Sequence, residues 1–275
     1  MVTAQSRDAA RPGGVTGEPA PGGVTPTGRV GTTPSGELGV GDAPTGRVGA
    51  TPSGEFEPGD VGRTGRVGAL GGVVVVTDRR QAALPLVDVV AGVVTGGARV
   101  VLLREKDLPR AQRLRLAVAL RALLRPVAGL LIVAGQDTLD GEALHLRAGA
   151  VAPLGRPRLL GRSCHDEAAV GRLSTEDYVT LSPVHPSRSK PGYGPPLEIA
   201  GLRRLAARTG RPVLALGGIE TSEQVAACRE AGVAGVAVMG ALMRAADPAA
   251  AYARMCAAWD GVCDGSSRDG GRVLA

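Results

Sequence analysis

Lysine and aromatic residues are scarce in this chain of 275 residues. It has two lysines, Lys106 and Lys190, among 32 basic residues, and aromatic side chains make up 2% of the sequence. A hydrophobic core must therefore be built from Val, Leu and Ala. Lysine carries a compact, mobile charge with three donors, unlike the planar fork of arginine. Two lysines that persist in an arginine-dominated chain are therefore candidates for a chemical role.

Paired cysteine spacings, a secretory leader and long apolar runs are also missing. The four cysteines show neither CxxC spacing nor the regularity of a disulfide framework, which favours a reducing compartment. The first residues do not combine a positive start with an apolar run. No apolar run is long enough to cross a bilayer. We therefore expect a cytoplasmic protein without a membrane partner.

The net charge of +6 is carried by the part of the chain after Gly71. That part has 26 basic and 19 acidic residues, whereas the preceding part has six arginines and seven acids. Such an excess of positive charge is suited to anionic ligands, including phosphates. The basic residues are dispersed and lack interleaved aromatic residues, so nucleic-acid binding is not expected.

Composition divides the chain into three segments. Residues 1–71 are rich in Gly, Pro, Thr and Ser and contain one aromatic residue, Phe56. Such a segment buries too little apolar surface to offset the entropy cost of ordering it, so we predict a disordered tail. Residues 72–260 are predicted to form one folded domain, and residues 261–275 a flexible C-terminal tail.

Eight short apolar runs follow one another in the predicted domain, and most are separated by amphipathic stretches. Wholly apolar runs are typical of parallel strands that are buried on both faces. The alternation predicts an α/β fold of the (β/α)₈ TIM-barrel type. The connection between the third and fourth runs is too short for a full helix, and a doubly wound open sheet is the alternative. The predicted strands are 73–77, 99–103, 129–134, 143–146, 158–163, 178–182, 212–216 and 235–239.

Polar residues occur where these strands end, which is where TIM barrels carry their active sites. The three histidines of the chain, His145, His165 and His185, lie at or just beyond the ends of strands four, five and six. Asp78 follows strand one, and Lys106 follows strand two. We expect these side chains to converge on one rim of the barrel.

Glycine turns after strands seven and eight predict a phosphate site. Gly217 and Gly218 follow strand seven, and Met239 and Gly240 end strand eight. Glycine lets backbone N–H groups approach an oxyanion, and these two loops are the usual phosphate site of TIM barrels. The loop over residues 187–190 adds hydroxyl groups and a cation suited to phosphate oxygens, namely Ser187, Ser189 and Lys190.

Five motifs together resemble the thiamine phosphate synthase/TenI superfamily. They are Val-Thr-Asp-Arg (76–79), Leu-Arg-Glu-Lys (103–106), Ser-Pro-Val followed by Ser-x-Ser-Lys-Pro-Gly (182–192), Ala-Leu-Gly-Gly-Ile (215–219) and Gly-Val-Ala-Val-Met (235–239). The resemblance covers residues 73–250. It implies a TIM barrel that acts in thiamin biosynthesis on a thiazole phosphate, a small-molecule substrate, and it leaves a homo-oligomer open.

The superfamily contains two main chemistries. The synthase, a transferase, joins hydroxymethylpyrimidine diphosphate to a thiazole phosphate and releases pyrophosphate, using Mg²⁺ held by carboxylates. Here the synthase positions for those carboxylates are occupied by Ala134-Gly135 and Ala150, and a synthase glutamine is replaced by Leu102. Asp137 and Asp140 lie nearby and would hold Mg²⁺ only in a shifted register.

TenI-type proteins instead isomerise a thiazole carboxylate phosphate without a metal or other cofactor. The segment 161–165, Gly-Arg-Ser-Cys-His, resembles their motif, in which the histidine is the proposed general acid/base. We therefore expect a TenI-like thiazole tautomerase. A divergent synthase and a non-catalytic regulator that binds thiazole phosphate are the alternatives. The resemblance implies His165 and Lys106 as catalytic residues, and as substrate-binding residues Arg104, Ser163, Ser187, Ser189, Lys190, Gly217, Gly218, Met239 and Gly240.

Overall fold

The computed structural model describes residues 68, 70–189, 191, 192 and 194–261. The strands are β1 (Gly72–Val76), β2 (Val100–Leu103), β3 (Leu130–Ala134), β4 (Ala143–Leu146), β5 (Leu159–Cys164), β6 (Tyr178–Leu181), β7 (Val213–Leu216) and β8 (Gly235–Val238). The helices are α1 (Leu86–Thr95), α2 (Arg110–Leu124), α3 (Glu167–Gly171), α4 (Glu198–Ala206), α5 (Ser222–Glu230), α6 (Gly240–Met243) and α7 (Pro248–Asp260), with a 3₁₀ turn at Arg125–Val127.

The eight strands form a closed parallel barrel in which each strand pairs with its neighbours in sequence. Closure is made by β1 and β8, whose register places Gly72 opposite Gly235 and Val75 opposite Val238. This confirms the predicted (β/α)₈ barrel and rules out the open sheet. All eight predicted strands are present, because parallel strands covered by helices are buried on both faces and appear as continuous apolar runs.

Alternate residues of each strand point to two separate apolar layers. Val73 and Val75 of β1 pack in the outer layer, between the strands and the helices. Val74 and Val76 point into the barrel and pack with apolar side chains from the other strands. Leu70, which lies just before β1, is fully buried in this inner cluster. Branched aliphatic side chains fill both layers, so the scarcity of aromatic residues does not prevent a dense core.

The predicted short connection between β3 and β4 is confirmed. Residues 135–142, all of which the structure describes, contain no helix. The Arg121 guanidinium on α2 instead donates hydrogen bonds to the carbonyl oxygens of Leu139 (2.7 Å) and Thr138 (3.0 Å). These bonds give side-chain donors to two backbone carbonyl groups in a segment that lacks helical hydrogen bonds.

The proposed tails, residues 1–71 and 261–275, lie almost entirely outside the described residues. Within the described part of the chain, no helix combines the length and the apolar character needed to cross a membrane.

Candidate active site

A cavity of about 230 Å³ opens at the C-terminal end of the barrel. Its walls come from the ends of strands and the loops that follow them. Ten of the eleven residues that the sequence proposed as catalytic or substrate-binding line this cavity. They are Arg104, Lys106, Ser163, His165, Ser187, Ser189, Gly217, Gly218, Met239 and Gly240. The eleventh, Lys190, lies outside the described residues.

His165 is held in one orientation directly after β5. Its Nδ1 lies 2.7 Å from the carbonyl oxygen of Ser182 and 3.2 Å from the Ser182 hydroxyl. A carbonyl oxygen can only accept a hydrogen bond, so Nδ1 carries the proton. In the neutral ring Nε2 is therefore the basic nitrogen. An imidazole fixed in this tautomer on a cavity wall has the chemistry of a general base, and of a general acid once protonated.

The turn after β7 requires glycine at two successive positions. Gly217 and Gly218 have φ angles of +100° and +70°, which residues with a side chain rarely adopt. A Cβ at Gly218 would also lie 2.5 Å from the Pro186 carbonyl oxygen and 2.6 Å from that of His185. In the sequence these glycines predict the close approach of an oxyanion to the backbone. The structure adds a second reason, which is close packing against the loop that follows β6.

Two cations reach the cavity from the loop after β2. Arg104 and Lys106 line the cavity, and the intervening Glu105 is 1% exposed. Glu105 accepts hydrogen bonds from the Arg79 backbone N–H (3.0 Å) and guanidinium (2.9 Å). The Arg104 backbone N–H donates to the Thr77 hydroxyl at 2.9 Å. The loops after β1 and β2 are thereby tied together, and the positions of both cations follow from this link.

A row of hydrogen-bonded polar side chains supports the part of the cavity wall between the loop after β1 and the glycine turns. Arg244 donates hydrogen bonds to Gln81 and to Glu220, each at 2.6 Å. Gln81 in turn donates to Asp78 at 2.7 Å. Asp78, Gln81 and Glu220 line the cavity, and the Arg244 guanidinium packs against Gly240, where a Cβ would lie 2.5 Å from it. Asp78 was expected at this rim, whereas Gln81, Glu220 and Arg244 were not predicted, because they are far apart along the sequence and carry no local motif.

Of the three histidines expected to converge on one rim, His165 lines the cavity, whereas His145 and His185 do not. His145 points into the barrel interior, where burial, and secondarily the charges of Lys106 and Arg162, lowers its pKa to about 3. His185 lies in the loop after β6. Its Nε2 is buried without a hydrogen-bond partner among the described residues, and burial lowers its pKa.

The residues present do not form the Mg²⁺ site that the synthase chemistry implies. β3 ends at Ala134, and neither Ala134 nor Gly135 after it carries a carboxylate. Asp137 and Asp140, the substitute ligands considered above, do not line the cavity and pair instead with Arg110, at 2.7 and 3.5 Å. No cluster of three or more metal-ligating side chains occurs in the described part of the chain. Mg²⁺ requires oxygen ligands, usually carboxylates, and these positions do not supply them.

The second synthase carboxylate position, Ala150, has a different role here. Its carbonyl oxygen accepts a hydrogen bond of 2.7 Å from the Arg162 guanidinium, which also forms a buried ion pair with Glu176. Arg162 therefore holds the loop after β4 against β5. This contact is structural and brings no oxygen ligand into the cavity.

Fold and cavity together define a TIM barrel whose cavity, at the C-terminal ends of the strands, is lined by two cations and two glycine turns. Residues 73–242 match the family model for thiamine monophosphate synthase. The chain belongs to this family, the thiamine phosphate synthase/TenI superfamily, whose enzymes act in thiamine biosynthesis.

Individual relatives agree with this assignment. A putative thiamine-phosphate synthase of Geobacter sulfurreducens is 40% identical over 189 residues, 63% of this chain and 87% of the relative. A thiamine-phosphate synthase of a Roseiflexus species is 33% identical and covers 73% of this chain and 90% of its own length. Among solved structures, the thiamine phosphate pyrophosphorylase of Pyrococcus furiosus has a TM-score of 0.63 at 24% identity, covering 72% of this chain and 98% of that one, which supports the fold.

Proposed function

We propose that this protein binds a thiazole phosphate in the cavity and transfers protons on its ring through His165. The observation that carries the proposal is the placement of His165, held in one tautomer, in the same cavity as the two glycine turns. The glycine turns would receive the phosphate, and the Ser187 and Ser189 hydroxyls, 2.8 Å apart, would contact it from the loop after β6.

Two reactions of the family are compatible with such a substrate. The relatives are named thiamine-phosphate synthase, which favours the transferase that joins hydroxymethylpyrimidine diphosphate to thiazole phosphate. The side chains of this cavity favour the isomerase, because the carboxylates for Mg²⁺ are replaced and Asp137 and Asp140 pair with Arg110. Tautomerisation of a thiazole carboxylate phosphate needs no metal, so the cavity as it is supports this reaction best.

In the proposed tautomerisation, Nε2 of His165 takes a proton from one ring position and returns it at another. The ring ends aromatic, and no atom is gained or lost. Arg104 and Lys106 would pair with the substrate carboxylate, since both cations line the cavity. Binding energy from the phosphate, which is remote from the reacting atoms, would orient the ring over His165.

An assay with and without Mg²⁺ separates the two reactions from simple binding. One sample receives hydroxymethylpyrimidine diphosphate and thiazole phosphate, and the other receives the thiazole carboxylate phosphate. Aromatisation of the thiazole carboxylate phosphate that survives EDTA would support the tautomerase. Thiamine phosphate formation that EDTA abolishes would instead establish the synthase favoured by the relatives' names. Absence of both reactions, with thiazole phosphate still bound, would identify a binding protein that regulates.

A further inference from the structure

A buried polar network lies inside the barrel and ends at a cavity residue, Ser163. His145 of β4 is 6% exposed and lies between two hydroxyl groups. Its Nδ1 is 3.0 Å from the Tyr178 hydroxyl, and its Nε2 is 3.0 Å from the Ser163 hydroxyl. The Thr180 hydroxyl is more distant from Nε2, at 3.4 Å. Ser163 lines the cavity, so the network connects the barrel interior with the substrate site.

A glycine beside this network leaves the space that the Tyr178 ring occupies. Gly161 of β5 lies opposite His145 on one side and Tyr178 on the other in the strand register. A Cβ at Gly161 would overlap the Tyr178 ring. The glycine therefore provides the space that lets a fully buried tyrosine bring its hydroxyl to His145. Polar groups buried in an otherwise apolar barrel must be paired to avoid a large desolvation cost.

Burial also fixes the protonation of the network. His145 has a pKa lowered to about 3, mainly by burial, so its ring is neutral near pH 7 and carries one N–H. Burial raises the pKa of Tyr178, so that hydroxyl keeps its proton. Among the described residues, His145 Nδ1 is the one hydrogen-bond partner of the Tyr178 hydroxyl. A proton on Nδ1 would leave the buried tyrosine O–H without an acceptor, which is unfavourable for a polar group out of contact with water.

The hydrogen bonds of the network therefore run in one direction from donor to acceptor. Tyr178 donates to Nδ1 of His145, and the proton of the ring is on Nε2, which donates to the nearer hydroxyl, that of Ser163. The Ser163 oxygen is then an acceptor toward His145, and its own O–H is left to donate elsewhere. Because Ser163 lines the cavity, a bound substrate is the acceptor that this geometry offers.

We propose that His145 and Tyr178 are positioning residues that commit the Ser163 hydroxyl to donate a hydrogen bond into the cavity, toward an acceptor on the substrate ring or its carboxylate. Ser163 is on β5, whereas the glycine turns follow β7 and β8, so the acceptor belongs to the ring end of the substrate. This part of the inference rests on the proposed binding of a thiazole phosphate.

The tautomer of His145 can be measured on the free protein, independently of any reaction. NMR spectra of nitrogen-labelled histidine should show His145 neutral, with its proton on Nε2 and none on Nδ1. A His145→Gln variant assigns the signal. A proton on Nδ1 would overturn the inference, since Ser163 would then be the donor to His145. This result does not depend on which substrate the protein uses.

Activity measurements test the consequence for the substrate. Ser163→Ala and Tyr178→Phe should each lower kcat/KM about tenfold, which is the usual effect of losing one hydrogen bond. The double variant should be no worse than Ser163→Ala alone, because both changes remove the same donated bond. His145→Leu should behave like Tyr178→Phe. His145→Gln, whose amide N–H can still reach Ser163, should regain most of the activity.

A matched control is available in Tyr252. It is another buried tyrosine, whose hydroxyl donates to the Val73 carbonyl oxygen at 2.8 Å, away from the cavity. Tyr252→Phe should lower stability but leave kcat/KM within about twofold of the wild type. An equal loss of activity in Tyr252→Phe and Tyr178→Phe would show that the effect is structural and would overturn the inference.

A failure of the proposed function can be distinguished from a failure of the inferred network. If the wild type catalysed neither reaction, the variants would be compared by their affinities for thiazole carboxylate phosphate and for inorganic phosphate. Ser163→Ala and Tyr178→Phe should then weaken only the former, again without adding to one another. Additive losses, or an equal loss of inorganic phosphate affinity, would contradict the network, whatever reaction the protein catalyses.

Discussion

At the scale of single residues, the orientation of His165 depends on its contact with Ser182. The bond from Nδ1 to the carbonyl oxygen is 2.7 Å long and fixes the ring while leaving Nε2 as the base. Because this carbonyl belongs to the backbone directly after β6, no side-chain substitution removes it. The histidine itself is therefore the direct target for testing proton transfer.

We expect His165→Ala to lower the rate of aromatisation by at least about 100-fold, the lower range for general acid/base catalysis. Affinity for thiazole phosphate should change less than about tenfold, since the glycine turns remain. Steady-state kinetics and calorimetric titration measure the two quantities. A loss of affinity as large as the loss of rate would mean that His165 anchors the substrate and does not transfer protons.

Gly218 gives a second test at this scale. A valine there would meet the carbonyl oxygens of His185 and Pro186 and would also have to adopt a φ of +70°. The loop after β6, which carries Ser187 and Ser189, would be displaced, and we expect inorganic phosphate binding to be lost in calorimetric titration.

Gly232→Val is the matched control for Gly218→Val. Gly232 has a φ of +82°, but a Cβ there would meet no atom within 4 Å. The substitution should therefore cost only the strain of a left-handed backbone, about 1–2 kcal/mol, and leave phosphate binding intact. Retained phosphate binding in Gly218→Val would mean that the phosphate site lies elsewhere.

At the scale of elements, the loops after β1 and β2 act as one unit because Glu105 and Asp107 both bind Arg79. The two carboxylates differ in burial, at 1% and 37% side-chain exposure. Hydrogen bonding to Arg79 lowers the pKa of Asp107, but exposure to solvent screens this pair. Glu105, by contrast, is buried and also caps the Arg79 backbone N–H.

We therefore expect Glu105→Ala to lower the free energy of unfolding by about 1.5–3 kcal/mol, the range for hydrogen bonds to charged groups. It should also raise KM, since Arg104 and Lys106 flank it. Asp107→Ala removes another partner of the same arginine and should change both the free energy of unfolding and KM less than Glu105→Ala does. Chemical denaturation and initial-rate kinetics of the two variants make the comparison. Equal effects of the two substitutions would contradict the assigned role of Glu105.

At the scale of the whole molecule, the buried neutral His145 makes the fold sensitive to acid. Its pKa is about 3 in the folded protein, against an ordinary value of 6.5, because burial disfavours the charged ring. Between these values the unfolded chain binds the proton and the folded protein does not. Stability is therefore lost as the pH falls from about 6.5 toward 3.

His145→Gln removes this titration, so its free energy of unfolding should fall less steeply than that of the wild type over the same range. Urea denaturation at a series of pH values measures the difference. If the two proteins lose stability in parallel between pH 6.5 and 4, the acid sensitivity comes from groups other than His145.

The strand count, the barrel and the end of the barrel at which the cavity opens were predictable from the amino-acid sequence. Apolar runs are local, and the ends of parallel strands meet at one rim, so position along the chain was enough to place Lys106, His165 and Gly218 around one cavity. The motif resemblance gave the family for the same reason, since each motif occupies a few consecutive residues.

Which polar residues reach the cavity, and which ones support it, became visible once the strands were assembled in three dimensions. His145 and His165 look alike in the sequence, each at or near the end of a strand, but one points into the barrel and the other lies at the rim. Arg244 and Gln81 are 163 residues apart and still share a hydrogen bond of 2.6 Å. Strand register and side-chain direction set such contacts, and they arise when the barrel closes, so no local pattern records them.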